Sequence, residues 1–364
     1  SYESVLPYFR RAEDFYGDGD EDYHGKGGPL SVQKSERGND VLLDVFVEAG
    51  QQAGFPLTKD FNGKSQEGFS RYEHTMRGSK RCSSARAYLH PVLKRKNLLT
   101  ETEVTVNRVI FEGKRAVGVS FSQKGQERVV YANAEVVLSA GALNSPQILM
   151  RSGVGAAQDI TPHGIEMVHE LKGVGQNMQD HYGVVSQFEC TQDVTLHRSA
   201  VWWRTQLAGI QYLLMGKGDA AYPPTAAGAF FKSHPSKSIP DMQIHYVSVA
   251  VTDQHGRDEI QKRHGFSSIV YGCRPESRGY ITLKSASPDD APALHPNYLT
   301  HEQDVIDIRN GFRETRRVFM QPAFDPYRGA QLKPGPDVNV DNDDELDAWI
   351  RATGETLYHP VGTC

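Results

Sequence analysis

The sequence has few cysteines, and they are widely separated. Four occur in 364 residues, at Cys82, Cys190, Cys273 and Cys364, and they form no CxxC pair. Zinc ribbons require such pairs and small secreted domains require a dense disulfide framework, so the spacing argues against both classes. Separated thiols suit a reducing compartment, and we therefore expect a cytoplasmic protein without a metal site.

A basic face and a long apolar run are also missing. The 40 basic residues are scattered among 45 acidic ones, and the net charge of -5 argues against a nucleic-acid binder. The most apolar stretch, residues 200–216, is interrupted by Arg204 and Gln206, so no transmembrane segment is expected. We predict a packed amphipathic helix there, and the alternative is an interfacial helix that attaches the protein peripherally to the inner membrane.

The chain has no recognisable natural start or end. It opens without Met on SYESVLPYFRRAED, which predicts an amphipathic helix over residues 1–15, and it stops in YHPVGTC. We therefore expect a partial sequence that is cut at both ends. The content of 38% hydrophobic and 23% charged residues is that of a folded globular protein, and the length allows two domains.

Short strands separated by turns form the most regular pattern in the chain. The EGKR and QKGQ turns predict a three-stranded meander over residues 106–111, 116–122 and 127–131. A β-branched run at 134–138 then predicts a buried strand. This order is compatible with a flavin- or nicotinamide-binding domain.

The stretch SAGALNSPQILMRSGVG at 139–155 combines a tight turn with a helix. Residues 139–142 are all small, and small residues at the end of a buried strand let a backbone or a ligand approach closely. Ser145 is a candidate N-cap and Pro146 a candidate first helical residue. We therefore predict a short helix after Ser145 that ends at the following glycines.

Helices and antiparallel strands are predicted on both sides of this region. Residues 40–53 show helical spacing after Asp40, a candidate N-cap, and the polar residues 60–80 predict a loop. Alternating segments after residue 181 predict an antiparallel sheet of a second domain. A long helix is predicted over 301–321, with a buried face of Val305, Ile308, Phe312 and Val318.

At every constrained position, GALNSPQILMRSGVG resembles the second signature of the glucose-methanol-choline (GMC) oxidoreductases, flavoenzymes that oxidise alcohols. SSARAYL, GVGQNMQDH, RPESRGYITLKSASP and YHPVGTC agree as well, so the resemblance spans essentially the whole chain. It is strongest toward bacterial choline-dehydrogenase-like and alcohol-dehydrogenase-like members. The implied fold class is α/β and α+β, with an incomplete Rossmann-like FAD-binding domain and a substrate domain of antiparallel sheet covered by helices.

The resemblance also implies how the chain is divided. Residues 1–80 are expected to form the first part of the substrate domain with a lid or loop region, and residues 81–180 the middle of the FAD-binding domain. Residues 181–345 would complete the substrate domain. Residues 346–364 would then return to the FAD-binding domain with the active-site histidine.

Cofactor contacts carry over from the family onto matching residues. Val104 matches the position whose backbone meets the flavin adenine, and Ser139, Ala140 and Gly141 match the small crossing beside the adenosine diphosphate. Both assignments make physical sense, because a valine side chain can point into a core while its backbone reads the adenine edge, and a pyrophosphate needs small neighbours.

His359 in YHPVGTC matches the family's active-site base. The resemblance implies that its imidazole accepts the alcohol proton while hydride passes from the carbinol carbon to flavin N5. Tyr358 is expected to line the substrate cavity, and a core position is the alternative. Asp180 and His181 also pair an acid with an imidazole, but in the family this motif belongs to the connection between domains, and we expect a structural role.

The sequence departs from the family pattern in two catalytic features. The G-x-G-x-x-G fingerprint is absent, as is the later His or Asn that partners the base. We therefore predict that the 364-residue chain alone neither holds FAD tightly nor turns over. The alternatives are a GMC-fold protein with lyase or oxidase chemistry and an inactive truncated remnant.

A third departure concerns the substrate. Choline-oxidising relatives carry a Glu in a stretch like EAGGF, whereas this chain reads AAGAF with Ala226 at that position. We therefore expect a neutral primary alcohol rather than choline. A quinone or another acceptor than oxygen is expected to receive the electrons.

Overall fold

The computed structural model describes residues 1–34, 40–197, 202–250 and 263–364. The α-helices of these residues are α1 Tyr2–Ala12, α2 Val41–Gln52, α3 Gly141–Arg151, α4 Ala157–Ile160, α5 Trp202–Met215, α6 Glu302–Phe319 and α7 Asp343–Thr353. The strands are β1 Glu13–Tyr16, β2 Leu30–Lys34, β3 Gly68–Arg71, β4 Glu73–His74, β5 Met76–Arg77, β6 Lys80–Arg81, β7 Val104–Glu112, β8 Arg115–Gln123, β9 Gln126–Tyr131, β10 Val154–Gly155, β11 His169–Glu170, β12 Tyr182–Cys190, β13 Thr225–Phe231, β14 Met242–Val247, β15 Gly265–Gly272, β16 Tyr280–Thr282, β17 Ala293–His295, β18 Arg328–Lys333 and β19 Glu355–Thr356.

The chain divides into two compact units. The first comprises residues 1–98, 182–274 and 305–355, and the second comprises 99–181, 275–304 and 356–364. The four domain ranges expected from the sequence stay a prediction.

A seven-stranded sheet forms the centre of the first unit. Its strand order is β18-β12-β15-β14-β13-β3, with β19 also paired to β12, and the long neighbours run antiparallel. Alternation places Met242, Ile244 and Tyr246 of β14 in the core. Phe46 of α2 stacks on Tyr246 with ring centroids 4.5 Å apart, and Phe319 of α6 packs near both.

The long predicted helix is confirmed as α6. Its four predicted core residues, Val305, Ile308, Phe312 and Val318, are all buried. The helix over 40–53 is confirmed as α2, but Asp40 makes no capping bond with its side chain. Its carboxylate instead accepts a hydrogen bond of 2.9 Å from the Ser248 hydroxyl.

Two other predictions in the first unit were wrong. Residues 60–80 are not one loop, because β3 pairs with β13 at the edge of the large sheet. The helix predicted over 200–216 is present as α5, but the prediction that it packs against the protein is wrong, because its Leu207, Ile210 and Leu214 are exposed. Residues 200 and 201 of that prediction lie outside the described part of the chain.

The second unit contains the predicted meander, which is confirmed as β7, β8 and β9. Antiparallel pairing sets Val109 of β7 opposite Val119 of β8, and Val119 opposite Val130 of β9. Helix α3 packs nearby, and a small apolar core includes Met150 of α3 and Ile281 of β16.

The predicted strand over 134–138 is absent. Within the described residues no strand pairs with this run, and Val137 is 73% exposed, so neither a backbone ladder nor a buried face stabilises an extended strand. The predicted N-cap is also wrong. Helix α3 begins at Gly141, and the Ser145 hydroxyl lies inside the helix, where it accepts the Ala140 amide at 3.0 Å.

Among the described residues, no helix is both long and apolar enough to cross a membrane.

Candidate active site

The loop that carries His359 is paired at both ends to the segment before β12. Gln179 and Val361 exchange two backbone hydrogen bonds of 2.9 Å, and the Leu357 amide donates to the His181 carbonyl at 2.9 Å. His359 therefore lies midway in a short loop with two fixed ends, and Pro360 restricts its backbone further.

A proline inside α3 explains a third attachment of this loop. Pro146 has no amide, so it cannot donate to the Ala142 carbonyl four residues before it. The hydroxyl of the buried Thr363 donates to that carbonyl at 2.6 Å instead, and the Thr363 carbonyl accepts the Gly175 amide at 2.9 Å. Pro146 of α3, the helix in the family signature, thus leaves the Ala142 carbonyl available, and Thr363 at the end of the His359 loop donates to it.

Asp180 is the main polar anchor of the loop. One carboxylate oxygen accepts the His359 amide at 2.9 Å. The other accepts the hydroxyls of Thr356 and Tyr298, each at 2.5 Å. The residue is buried, and three donors satisfy its carboxylate.

The imidazoles of His181 and His359 form a direct pair. Their rings meet edge to face at an interplanar angle of 83°, and their Nδ1 atoms lie 3.0 Å apart. One nitrogen must donate and the other accept, because a hydrogen bond needs a single proton between them. If His359 carries that proton on Nδ1, its Nε2 is the acceptor for a substrate proton.

Tyr358, beside the base, has a left-handed backbone with φ of 61° and a side chain that is 62% exposed. This conformation is uncommon for a tyrosine. The exposure is inconsistent with the alternative of a core position, and contact with a substrate stays a prediction. Gly362 also has positive φ, and a Cβ there would lie 2.4 Å from the Asn177 carbonyl oxygen, so the loop requires glycine at this point.

The predicted cofactor residues lie on β7 and before α3. Val104 begins β7 opposite Gln123 and is half-buried. Ser139, Ala140 and Gly141 are exposed, and Gly141 begins α3 with φ of 80°. A Cβ built on Gly141 meets no atom within 4 Å, so its approach side is open in the described structure.

Arg151 connects α3 to β7. Its guanidinium donates to the Asn107 and Val106 carbonyls at 2.9 Å each, and the neighbouring Ser152 hydroxyl accepts the Val109 amide at 2.8 Å. Nη1 is buried without an acceptor among the described residues. Burial lowers the pKa of Arg151 from its usual value, and the charge of Asp289 opposes this shift.

Comparison with known proteins gives the family. The N-terminal model described as GMC oxidoreductase matches residues 1–183, and the C-terminal model with the same description matches residues 275–364. The chain belongs to the GMC oxidoreductase family. The expected family is therefore confirmed.

Curated relatives of this GMC oxidoreductase chain are similar over its whole length. It is 42% identical over 365 residues to "Oxygen-dependent choline dehydrogenase 1" of Chromohalobacter salexigens, covering 100% of this chain and 64% of that protein. It is 43% identical over 364 residues to "Oxygen-dependent choline dehydrogenase" of Brucella ovis, with 100% and 65% covered. The chain thus spans just under two thirds of the length of these relatives.

Solved structures agree on the fold. Pyridoxine 4-oxidase from Mesorbium loti matches with a TM-score of 0.86 and 24% identity, covering 100% of this chain and 67% of that one. A formate oxidase matches with a TM-score of 0.88 and 20% identity, covering 100% and 68%. The predicted fold class is confirmed, although the 134–138 strand is not formed.

Ala226, the position used to argue against choline, lies in β13 of the GMC chain. It is fully buried, and its carbonyl accepts the Tyr72 amide at 2.9 Å. Over the described ranges, no group of three or more His, Cys, Asp or Glu side chains could hold a metal ion.

Several residues of this site were missed by the sequence reasoning. Asp180 and His181 were assigned to a connection between domains, and the boundary of the two units does fall directly after His181. Their contacts with His359, which lies 179 and 178 residues further along the chain, were not predicted. The acid–imidazole dipeptide was a visible signal for them. No sequence pattern pointed to Arg151 or Thr363, because their partners are distant backbone carbonyls.

Proposed function

We propose that the complete protein oxidises a primary alcohol to an aldehyde, with FAD as its cofactor and His359 as the base. The observation that carries the proposal is the placement of this family histidine in a loop anchored at both ends, with Nδ1 held 3.0 Å from His181 Nδ1. Membership of the GMC family supports the same chemistry.

His359 would bind the hydroxyl group of the alcohol and remove its proton at Nε2. A positioned imidazole suits this step near neutral pH, and such general-base catalysis contributes about 10²- to 10⁴-fold to the rate. The loop attachments hold the ring before substrate arrives, which lowers the entropic cost of reaching a reactive geometry. Tyr358, exposed beside the base, is proposed to line the substrate cavity.

The residues present fit the part of FAD that they are predicted to meet. Ser139 to Gly141 give an exposed, small-residue approach to the N-terminus of an 11-residue helix, which suits a pyrophosphate. Val104 would contribute backbone groups to the adenine. When bound, FAD supplies the acceptor for the hydride that leaves the carbinol carbon.

Two alcohol classes are proposed as substrates. A neutral primary alcohol is favoured by Ala226, because no carboxylate stands there to meet a quaternary ammonium. Choline is the second candidate, and it is favoured by 42% and 43% identity to proteins named choline dehydrogenase.

The electron acceptor and the location are also proposals. A quinone or other acceptor competes with oxygen, which the names of the relatives include. We propose a cytoplasmic protein, with peripheral attachment to the inner membrane as the alternative. Lyase or oxidase chemistry on the same fold and an inactive remnant remain the competing interpretations.

The direct test is anaerobic mixing of the complete FAD-loaded protein with choline or a primary alkanol. We expect one of them to bleach the flavin absorbance with one equivalent of aldehyde formed. Failure of every alcohol to bleach a stoichiometrically loaded protein would contradict the proposal. Oxygen or a soluble quinone is then added to the reduced protein. The compound that restores the flavin absorbance faster is the preferred electron acceptor.

A further inference from the structure

We infer that Asp180 and His181 together hold His359 in its working orientation, Asp180 through the backbone and His181 through the ring. This inference rests on the proposed role of His359 as the base. It assigns both as positioning residues, because each would act through His359 rather than on the substrate.

Asp180 fixes the loop by accepting hydrogen bonds only. The His359 amide, the Thr356 hydroxyl and the Tyr298 hydroxyl all lie within hydrogen-bond distance of its two oxygens. Charge-assisted bonds of this kind are about twice as strong as neutral ones. Asparagine has an NH₂ donor in place of one of the two carboxylate oxygens. It therefore weakens these three hydrogen bonds while keeping the size and shape of the side chain.

His181 fixes the ring by accepting one hydrogen bond. If Nε2 of His359 receives the substrate proton, the proton between the two Nδ1 atoms belongs to His359, and His181 Nδ1 accepts it. The bond keeps this direction after proton transfer, because an imidazolium still donates from Nδ1. A third group that orients the base is a recurring requirement of such sites.

The local backbone explains why adjacent residues serve both purposes. Gln179 is paired with Val361, and the His181 carbonyl accepts the Leu357 amide. Residues 179–181 therefore run antiparallel to the His359 loop, which places the Asp180 carboxylate under the loop backbone and the His181 ring beside the base.

The experiment uses the complete FAD-loaded protein, variants at Asp180 and His181, a matched control and His359→Ala. His181→Phe removes the acceptor, and His181→Asn restores an acceptor oxygen near the position of Nδ1. Asp180→Asn removes the charge. The matched control is Asp304→Asn, because Asp304 has the same 7% exposure in the same unit and accepts two backbone amides, those of Glu276 and Ser277.

We expect His181→Phe and Asp180→Asn to lower the flavin reduction rate at saturating alcohol by about 10- to 100-fold, with KM changed less than about threefold. Flavin content should be unchanged, and His181→Asn should recover most of the loss. Asp304→Asn should lower the melting temperature as Asp180→Asn does, but leave the reduction rate unchanged. If Asp180→Asn is insoluble, Tyr298→Phe replaces it, and we expect a smaller decrease in the flavin reduction rate.

Wild-type reduction rates in His181→Phe and Asp180→Asn would overturn the inference, as would an equal loss of rate in Asp304→Asn. His359→Ala separates this failure from that of the proposed function. If only His359→Ala reduces the flavin slowly and the Asp180 and His181 variants keep the wild-type rate, this inference alone is refuted. If His359→Ala itself keeps the wild-type rate, the assignment of His359 as the base is refuted.

Discussion

The Thr363 hydroxyl donates to the Ala142 carbonyl oxygen at 2.6 Å, in the place where a helical amide would be if residue 146 were not proline. This bond joins the start of the signature helix to the end of the His359 loop within the second unit. The missing amide at Pro146 and the attachment of Thr363 therefore involve the same carbonyl, so a substitution at either residue should change the effect of a substitution at the other.

Removal of this hydroxyl should destabilise the protein. We expect Thr363→Val to lower the free energy of unfolding by about 1–2 kcal/mol, because a carbonyl loses its donor. Thr161→Val is the control, since that exposed hydroxyl donates to Ala157 on the surface. In a Pro146→Ala background the restored amide can donate to Ala142, so the cost of Thr363→Val should shrink in a double-mutant cycle from urea titrations. If the losses of unfolding free energy in Thr363→Val and Pro146→Ala are strictly additive, the two residues do not share the Ala142 carbonyl as an acceptor.

Arg151 should be a stability residue of the second unit. Arg151→Met keeps the length of the side chain but leaves the Val106 and Asn107 carbonyls without their donor, so we expect a loss of roughly 2–4 kcal/mol. Arg151→Lys retains a cation that can serve one carbonyl and should lose less. Thermal unfolding of the purified variants gives the order. Equal melting temperatures for wild type and Arg151→Met would show that the two bonds contribute nothing.

His24 predicts a pH-dependent contribution to the first unit. Its ring is buried, stacks on Phe15 with centroids 3.8 Å apart, and lies 3.0 Å from a Glu13 oxygen and 2.9 Å from an Asp60 oxygen. Burial lowers the pKa of His24, but the hydrogen bonds and charges of Asp60 and Glu13 outweigh it, so the pKa is raised overall.

The sign of the pH effect follows from this raised pKa. The stabilisation is fully present below the unfolded value of about 6.5 and is lost as pH rises through the folded value. We expect the melting-temperature difference between wild type and His24→Gln to be largest near pH 6 and to shrink toward pH 9. Burial also raises the pKa of the nearby Glu73, and the charge of His24 opposes this shift, so the comparison is made in a Glu73→Gln background. A difference that grows with pH would contradict the ion-pair description.

Local patterns predicted those elements that have a regular residue spacing or clear turn sequences. The meander follows from its two turn sequences, and α6 follows from the spacing of Val305, Ile308 and Phe312. The prediction for 134–138 was wrong because a β-branched run becomes a strand only where another strand pairs with it.

The candidate site was less predictable because distant residues assemble it. His359 was found from its motif, but its partners lie 178 and 179 residues away and its loop is anchored through Pro146, whose effect is to leave a carbonyl available. Ser145 was expected to cap a helix that begins four residues earlier, because the serine hydroxyl accepts the Ala140 amide from inside the first turns. Sequence alone identifies the residue types at such a site but not the hydrogen bonds that join them.

The rate of anaerobic flavin reduction in His359→Ala tests the central claim most directly. The complete FAD-loaded protein and the variant would be mixed with a saturating alcohol in a stopped-flow instrument. The base assignment predicts a rate about 10²- to 10⁴-fold below wild type, with partial recovery as free imidazole is added. A His359→Ala variant that is reduced as fast as wild type would contradict it.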